Sequence, residues 1–81
     1  MLHILARAVD NNKLKGYIIQ DDKGNTHKCS INQCIELVER GLVDNGIIIS
    51  VNYSNGSTYK YVRSKPNQKF FVYDLKNKYI K

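Results

Sequence analysis

Residues 30–41 carry a helical pattern with both ends marked, and on either side turn residues cut the chain into strand-length runs. Ser30 suits an N-cap, and Gln33 three residues later completes a capping box. Ile31, Cys34, Ile35, Val38 and Leu42 follow the i, i+3, i+4, i+7 spacing of one buried face. Glu36, Glu39 and Arg40 fall on the opposite side, with Glu36 and Arg40 spaced to pair at i, i+4. Gly41 fits the C′ position that ends a helix. One helix among short strands restricts the chain to the α+β class.

The strands follow from the punctuation. Leu2 to Val9 is an apolar run closed by Asp10-Asn11-Asn12. Gly16 to Asp21 is a second run, and Asp22-Lys23-Gly24-Asn25 turns the chain into Thr26 to Cys29. Beyond the helix, Ile47 to Tyr53 and Thr58 to Arg63 flank Ser54-Asn55-Gly56-Ser57, a hairpin signal. Lys65-Pro66-Asn67 interrupts the pattern, Phe70 to Leu75 gives a sixth strand, and Lys76 to Lys81 reads as frayed or loosely docked. The expected architecture is βββ-α-βββ: one small antiparallel sheet or half-barrel of about six strands with the helix packed on it. At 81 residues the chain reads as one domain, 1–81, with a modest core that buries about 60–65% of its unfolded surface.

Charge and aromatic content are unevenly placed. The net charge is +6, yet residues 1–53 hold six basic and six acidic groups. Residues 54–81 hold seven basic groups (Lys60, Arg63, Lys65, Lys69, Lys76, Lys78, Lys81) against Asp74 alone. Seven of the eight aromatic rings also follow Asn52. Solubility alone accounts for a charge of this size in a small domain, within about 2–8. Its concentration in one third of the chain is what points to a binding surface.

The hairpin decides whether that surface is accessible. With a two-residue Asn55-Gly56 turn of type I′, Tyr53 pairs with Thr58, Asn52 with Tyr59 and Ser50 with Tyr61. Tyr59, Tyr61 and Arg63 then share an exposed face with Asn52 and Ser50, while Ile49, Val51, Tyr53 and Val62 face the core. A three-residue loop shifts the pairing by one and sets Tyr59 and Tyr61 over Val51 and Tyr53 as core. The turn residues favour the first register, the apolar count the second. In the first, Asn52, Tyr59, Tyr61, Arg63, Lys65 and Lys69 form a strip suited to stacking planar groups and meeting phosphate.

Chemistry of other kinds finds little support in the sequence. His27, Cys29 and Cys34 are one ligand short of a structural zinc site, and His3 would have to supply it from the far end. Cys29 and Cys34 instead occupy N′ and N4 of the helix, the two positions of a hydrophobic staple. Neither cysteine has a positioned base, and the carboxylates are scattered over turns and the outer helix face. The glycines are isolated turn or cap residues without phosphate-loop spacing. The expectation is therefore a protein that is not an enzyme and needs no metal or other cofactor. With two cysteines, no apolar run of membrane-spanning length and an N-terminus unlike a signal peptide, its expected place is the cytosol, with no membrane partner.

Gly16 to Asn25, followed by Cys29-Ser30 and then Leu37 to Asn45, resembles short uncharacterised proteins encoded by phages, prophages and other mobile elements of Gram-positive bacteria. The similarity covers roughly residues 4–53 and rests on turns, caps and core positions, so no ligand or catalytic residue transfers with it. It implies a small accessory protein that binds a host macromolecule in the host cytosol and inhibits or modulates it, counter-defence inhibitors being one such class. A nucleic-acid or nucleotide-signal binder using the basic, tyrosine-rich face is the alternative, and a virion or assembly component is a third reading. The expected partners are thus a host protein or an anionic ligand, nucleic acid or nucleotide. An exposed sheet edge would also allow a homodimer.

Overall fold

The structure is a computed structural model that describes residues 1–77 and 79–80. Among these residues the elements run β1 (His3–Asp10), β2 (Lys13–Gln20), β3 (Thr26–Ser30), α1 (Ile31–Glu39), β4 (Gly46–Asn52), β5 (Thr58–Ser64), β6 (Phe71–Asp74) and β7 (Tyr79–Ile80). The strands-plus-one-helix composition is as expected, but the sheet is not single. Five strands form one sheet in the order β3-β2-β1-β6-β7, and β4 and β5 stand apart as a two-stranded ribbon. The expected all-antiparallel arrangement fails at one place: β6 lies parallel to β1, pairing Ala6 with Phe71 and Val9 with Asp74. The β1-β2-β3 meander leaves the far edge of β1 bare, and β6 fills it. The Lys76–Lys81 stretch, expected to be frayed or loosely docked, supplies the two-residue β7, with Asp74 opposite Tyr79. Lys78 and Lys81 lie outside the described residues.

Local chemistry explains the joints. Asn11 and Asn12 both take positive φ (50° and 62°), and Asp10 pairs with Lys13, so β1 and β2 meet in a two-residue type I′ turn. The capping box of α1 is complete: Ser30 Oγ accepts the Gln33 N–H at 3.1 Å, and Gln33 Oε1 accepts the Ser30 N–H at 2.9 Å. Gly41 (φ 74°) ends the helix in a Schellman motif, where Leu42 N–H reaches Leu37 C=O at 3.1 Å and Gly41 N–H reaches Val38 C=O at 3.0 Å. Leu42, expected on the buried face, therefore lies past the helix end and is 44% exposed.

The core draws on both sheets and the helix: Ile4, Tyr17, Ile19, Cys29, Cys34, Val43 and Val62 are buried together. Cys29 and Cys34 are both unoxidised and in contact through their thiols, as the staple positions require. That contact and burial hold the Cys34 thiol protonated, well above its usual range. Gly16 has no room for a side chain, since a Cβ there would run into the Cys29 carbonyl of β3.

Asn45 joins three parts of this frame. It is 2% exposed. Its Oδ1 accepts the Ile4 N–H at 2.8 Å, and its Nδ2 donates to the Ile4 C=O at 2.7 Å. The register of β1 against β2 slips between Ile4 and Ala6, and Asn45 satisfies backbone groups beside that irregularity. Its own carbonyl accepts the Lys65 N–H at 3.1 Å, which ties down the end of β5.

Candidate functional site

The β4–β5 ribbon sets the site. Neither register expected from the sequence is matched in full. Asn52 pairs with Thr58, Val51 with Tyr59, Ile49 with Tyr61 and Ile47 with Arg63, which is the shifted pairing. The cause is the turn. Gly56 alone takes positive φ (88°), its N–H bonds Tyr53 C=O at 3.0 Å, and Tyr53 N–H bonds Ser57 C=O at 2.9 Å. Such a three-residue loop ends in a glycine bulge. Asn55 is spared a left-handed backbone because its side chain accepts the Ser57 N–H at 3.0 Å and the Ser57 hydroxyl at 2.7 Å.

The shift does not bury the tyrosines. Tyr59 is 55% exposed, Arg63 is exposed and Tyr61 is half-buried. Val62, on the opposite face of β5, is the core residue, as expected. Val51 and Tyr53, expected in the core under the first register, are exposed instead. The Tyr59 and Tyr61 rings stack on each other, with centroids 5.8 Å apart and planes at 29°. Their cross-strand neighbours are apolar residues of β4 in place of Asn52 and Ser50.

Two expected members leave the site. Asn52 projects with Thr58 on the other face, where its Oδ1 accepts the Thr58 hydroxyl at 3.0 Å. Lys65 is half-buried and serves a turn: its carbonyl accepts the Gln68 N–H at 3.1 Å. In that turn Pro66 precedes Asn67 at φ 66°, the arrangement of a type II turn. Lys60 falls on the other face of β5 from the tyrosines and forms an ion pair with Glu39 at 3.0 Å.

Tyr61, Arg63 and Lys69 remain together, and two residues unremarked in the sequence join them. Arg7 from β1 and Phe70 line the same cleft, of about 420 Å³, with Val62 and Ser64. Phe70 is fixed by an edge-on contact with Tyr17, ring centroids 6.2 Å apart and planes at 82°. Arg7 sits opposite Val72 of β6 and Tyr17 of β2. Among the described residues the ion pairs join Met1 to Asp22, His3 to Asp44, His27 to Asp21, Arg40 to Glu36 and Lys60 to Glu39. None of them engages Arg7, Arg63 or Lys69. Three uncompensated cations therefore converge on one open cleft beside aromatic rings.

A second hollow, of about 500 Å³, is lined by Thr58, Tyr59 and Lys60 of β5 and by the helix residues Ile31, Asn32 and Ile35. Tyr61 lines the first hollow and Tyr59 the second, and their stacked rings form one aromatic ridge. No group of three or more His, Cys, Asp or Glu side chains placed to hold a metal ion occurs among the described residues. Among them, no helix is long and apolar enough to cross a membrane. No protein-family model, curated protein or solved structure matches the chain.

Proposed function

We propose that this is a non-enzymatic binding protein that engages an anionic host macromolecule through the Arg7–Arg63–Lys69 cleft and the adjoining tyrosine ridge, and so inhibits or modulates that partner. The observation that carries the reading is the convergence of three cations, free of ion pairs among the described residues, on a cleft walled by Tyr61 and Phe70. Surface lysines kept only for solubility have no reason to converge, since like charges repel. The resemblance to mobile-element proteins supports a place in the bacterial cytosol and a role such as counter-defence. In the virion or assembly reading, the edge strand β3 would pair with a second copy; Lys28 on that strand weighs against it.

Affinity capture from a bacterial lysate, with and without nuclease, tests the surface. The double variant Tyr59→Ala with Arg63→Ala should lose the partner while keeping its circular dichroism spectrum. Undiminished capture by a folded double variant would remove this surface from the function.

A further inference from the structure

We infer that the ligand of this surface is single-stranded nucleic acid, its phosphates seated in the Arg7–Arg63–Lys69 cleft and its bases laid on the Tyr59–Tyr61 ridge. The inference rests on the binding reading above and names its ligand. Several features select this class.

The cations and rings alternate over a short distance. Arg63 follows Tyr61 and Tyr59 at two-residue steps on one strand face, about 6.6 Å per step. Arg7 and Lys69 bring further charge from β1 and the loop before β6. A polymer that repeats a planar group and an anion matches such a surface. A carboxylate-rich peptide would satisfy the cations and leave the rings idle. Stacking on aromatic side chains and charge contact with the backbone are the two terms that hold unpaired strands.

The strand must be unpaired. A base reaches the face of a tyrosine only when it has left its own stack, and duplex recognition would need an element to enter a groove. The one helix among the described residues is unsuited to that task. Its outer face carries Glu36 and Glu39, each occupied in an ion pair. A helix offered to a phosphate-lined groove would present the opposite charge.

The ligand must also extend beyond one nucleotide. The tyrosine rings lie 5.8 Å apart, too near for a base to enter between them, so bases stack on the flanks of the pair. Tyr61 lines the cationic cleft. Tyr59 also lines the hollow with Ile31 and Ile35, whose apolar walls suit a second base. A strand crossing the ridge places a base on each side and a phosphate in the cleft.

The test is fluorescence anisotropy with a labelled short oligothymidylate, its duplex with oligoadenylate, and thymidine monophosphate as competitor. Single-strand affinity should fall about 15- to 20-fold between about 50 and 200 mM salt, because three cations each contribute roughly 0.7 to the logarithmic salt slope. Arg63→Ala should shrink that slope by about 0.7. Tyr59→Ala should weaken binding roughly 5- to 150-fold with the slope unchanged. Thymidine monophosphate that competes at equimolar concentration would assign the same base-and-phosphate chemistry to a free nucleotide and overturn the strand. Equal or tighter binding of the duplex, or no binding of the single strand at 50 mM salt, would also overturn it. If the single strand does not bind, but a nuclease-resistant protein is captured and lost with the Tyr59→Ala, Arg63→Ala variant, the nucleic-acid inference fails while the binding surface stands.

Discussion

Replacing Asn45 with alanine removes two hydrogen bonds whose partners have nowhere else to turn. Ile4 is 1% exposed, so its N–H and C=O, now held by Asn45 at 2.8 and 2.7 Å, would both be stranded away from water. Each stranded buried group costs about 1–3 kcal/mol, and the small void left by the amide adds to this. We expect a loss of about 3–5 kcal/mol, against a total stability of roughly 4–12 kcal/mol for a domain of this length. In urea unfolding with a slope near 1–1.5 kcal/mol per molar, the midpoint should drop by about 2–5 M. Asn45→Asp separates hydrogen bonding from size. A carboxylate still accepts the Ile4 N–H, but it cannot donate to the Ile4 C=O and carries a charge into the core. Burial raises the folded pKa of that new carboxyl above its unfolded value. The protonated variant is then the stable one, so its deficit against the wild type should widen as pH rises through that folded pKa. An Asn45→Ala stability within about 0.5 kcal/mol of the wild type (about half of one net hydrogen bond), or an Asp deficit that ignores pH, would refute this account of the joint.

Two further outcomes follow from the core and the hairpin. Burial raises Tyr17 from 10.0 to about 12, so its neutral form is favoured in the folded state. Its contribution, about 2–3 kcal/mol, is intact below pH 10 and lost as pH climbs towards 12; Tyr17→Phe should flatten that decline in pH-dependent urea titrations. Gly56→Ala forces a side chain into a left-handed backbone at φ 88° and should cost about 1–2 kcal/mol, read as a lower thermal midpoint.

What the sequence discloses depends on how local the cause is. The helix, its capping box and the cysteine staple are set by residues within a few positions of one another, and all were legible. The hairpin loop was legible but its register was not. Asn-Gly serves a two-residue turn as readily as a glycine bulge, and what decides between them is the side-chain bond from Asn55 to Ser57. Exposure of the tyrosines survived the shifted register, because Val62 turns the other face of β5 to the core. Asn52 changed faces with the shift, and Lys65 was drawn into a turn. The parallel docking of β6 on β1 has no local sign at all. Arg7 therefore gave no hint of its role: in sequence it is one charge in an apolar strand, far from the residues with which it shares the cleft. Its charge amid the alternation of β1 was the only available signal.

That docking sets an order of events during synthesis. Arg7 leaves the ribosome early, yet the neighbour that closes its strand edge, Val72, is among the later residues made. Until then β1 has one unpaired side, and the wall of the cleft supplied by Lys69 and Phe70 has no fixed position against it. A nascent chain therefore carries the residues of its helix, its meander and its hairpin before Lys69 and Phe70 are made to wall the cleft. The cleft can close only after β6 has been made and has docked on β1.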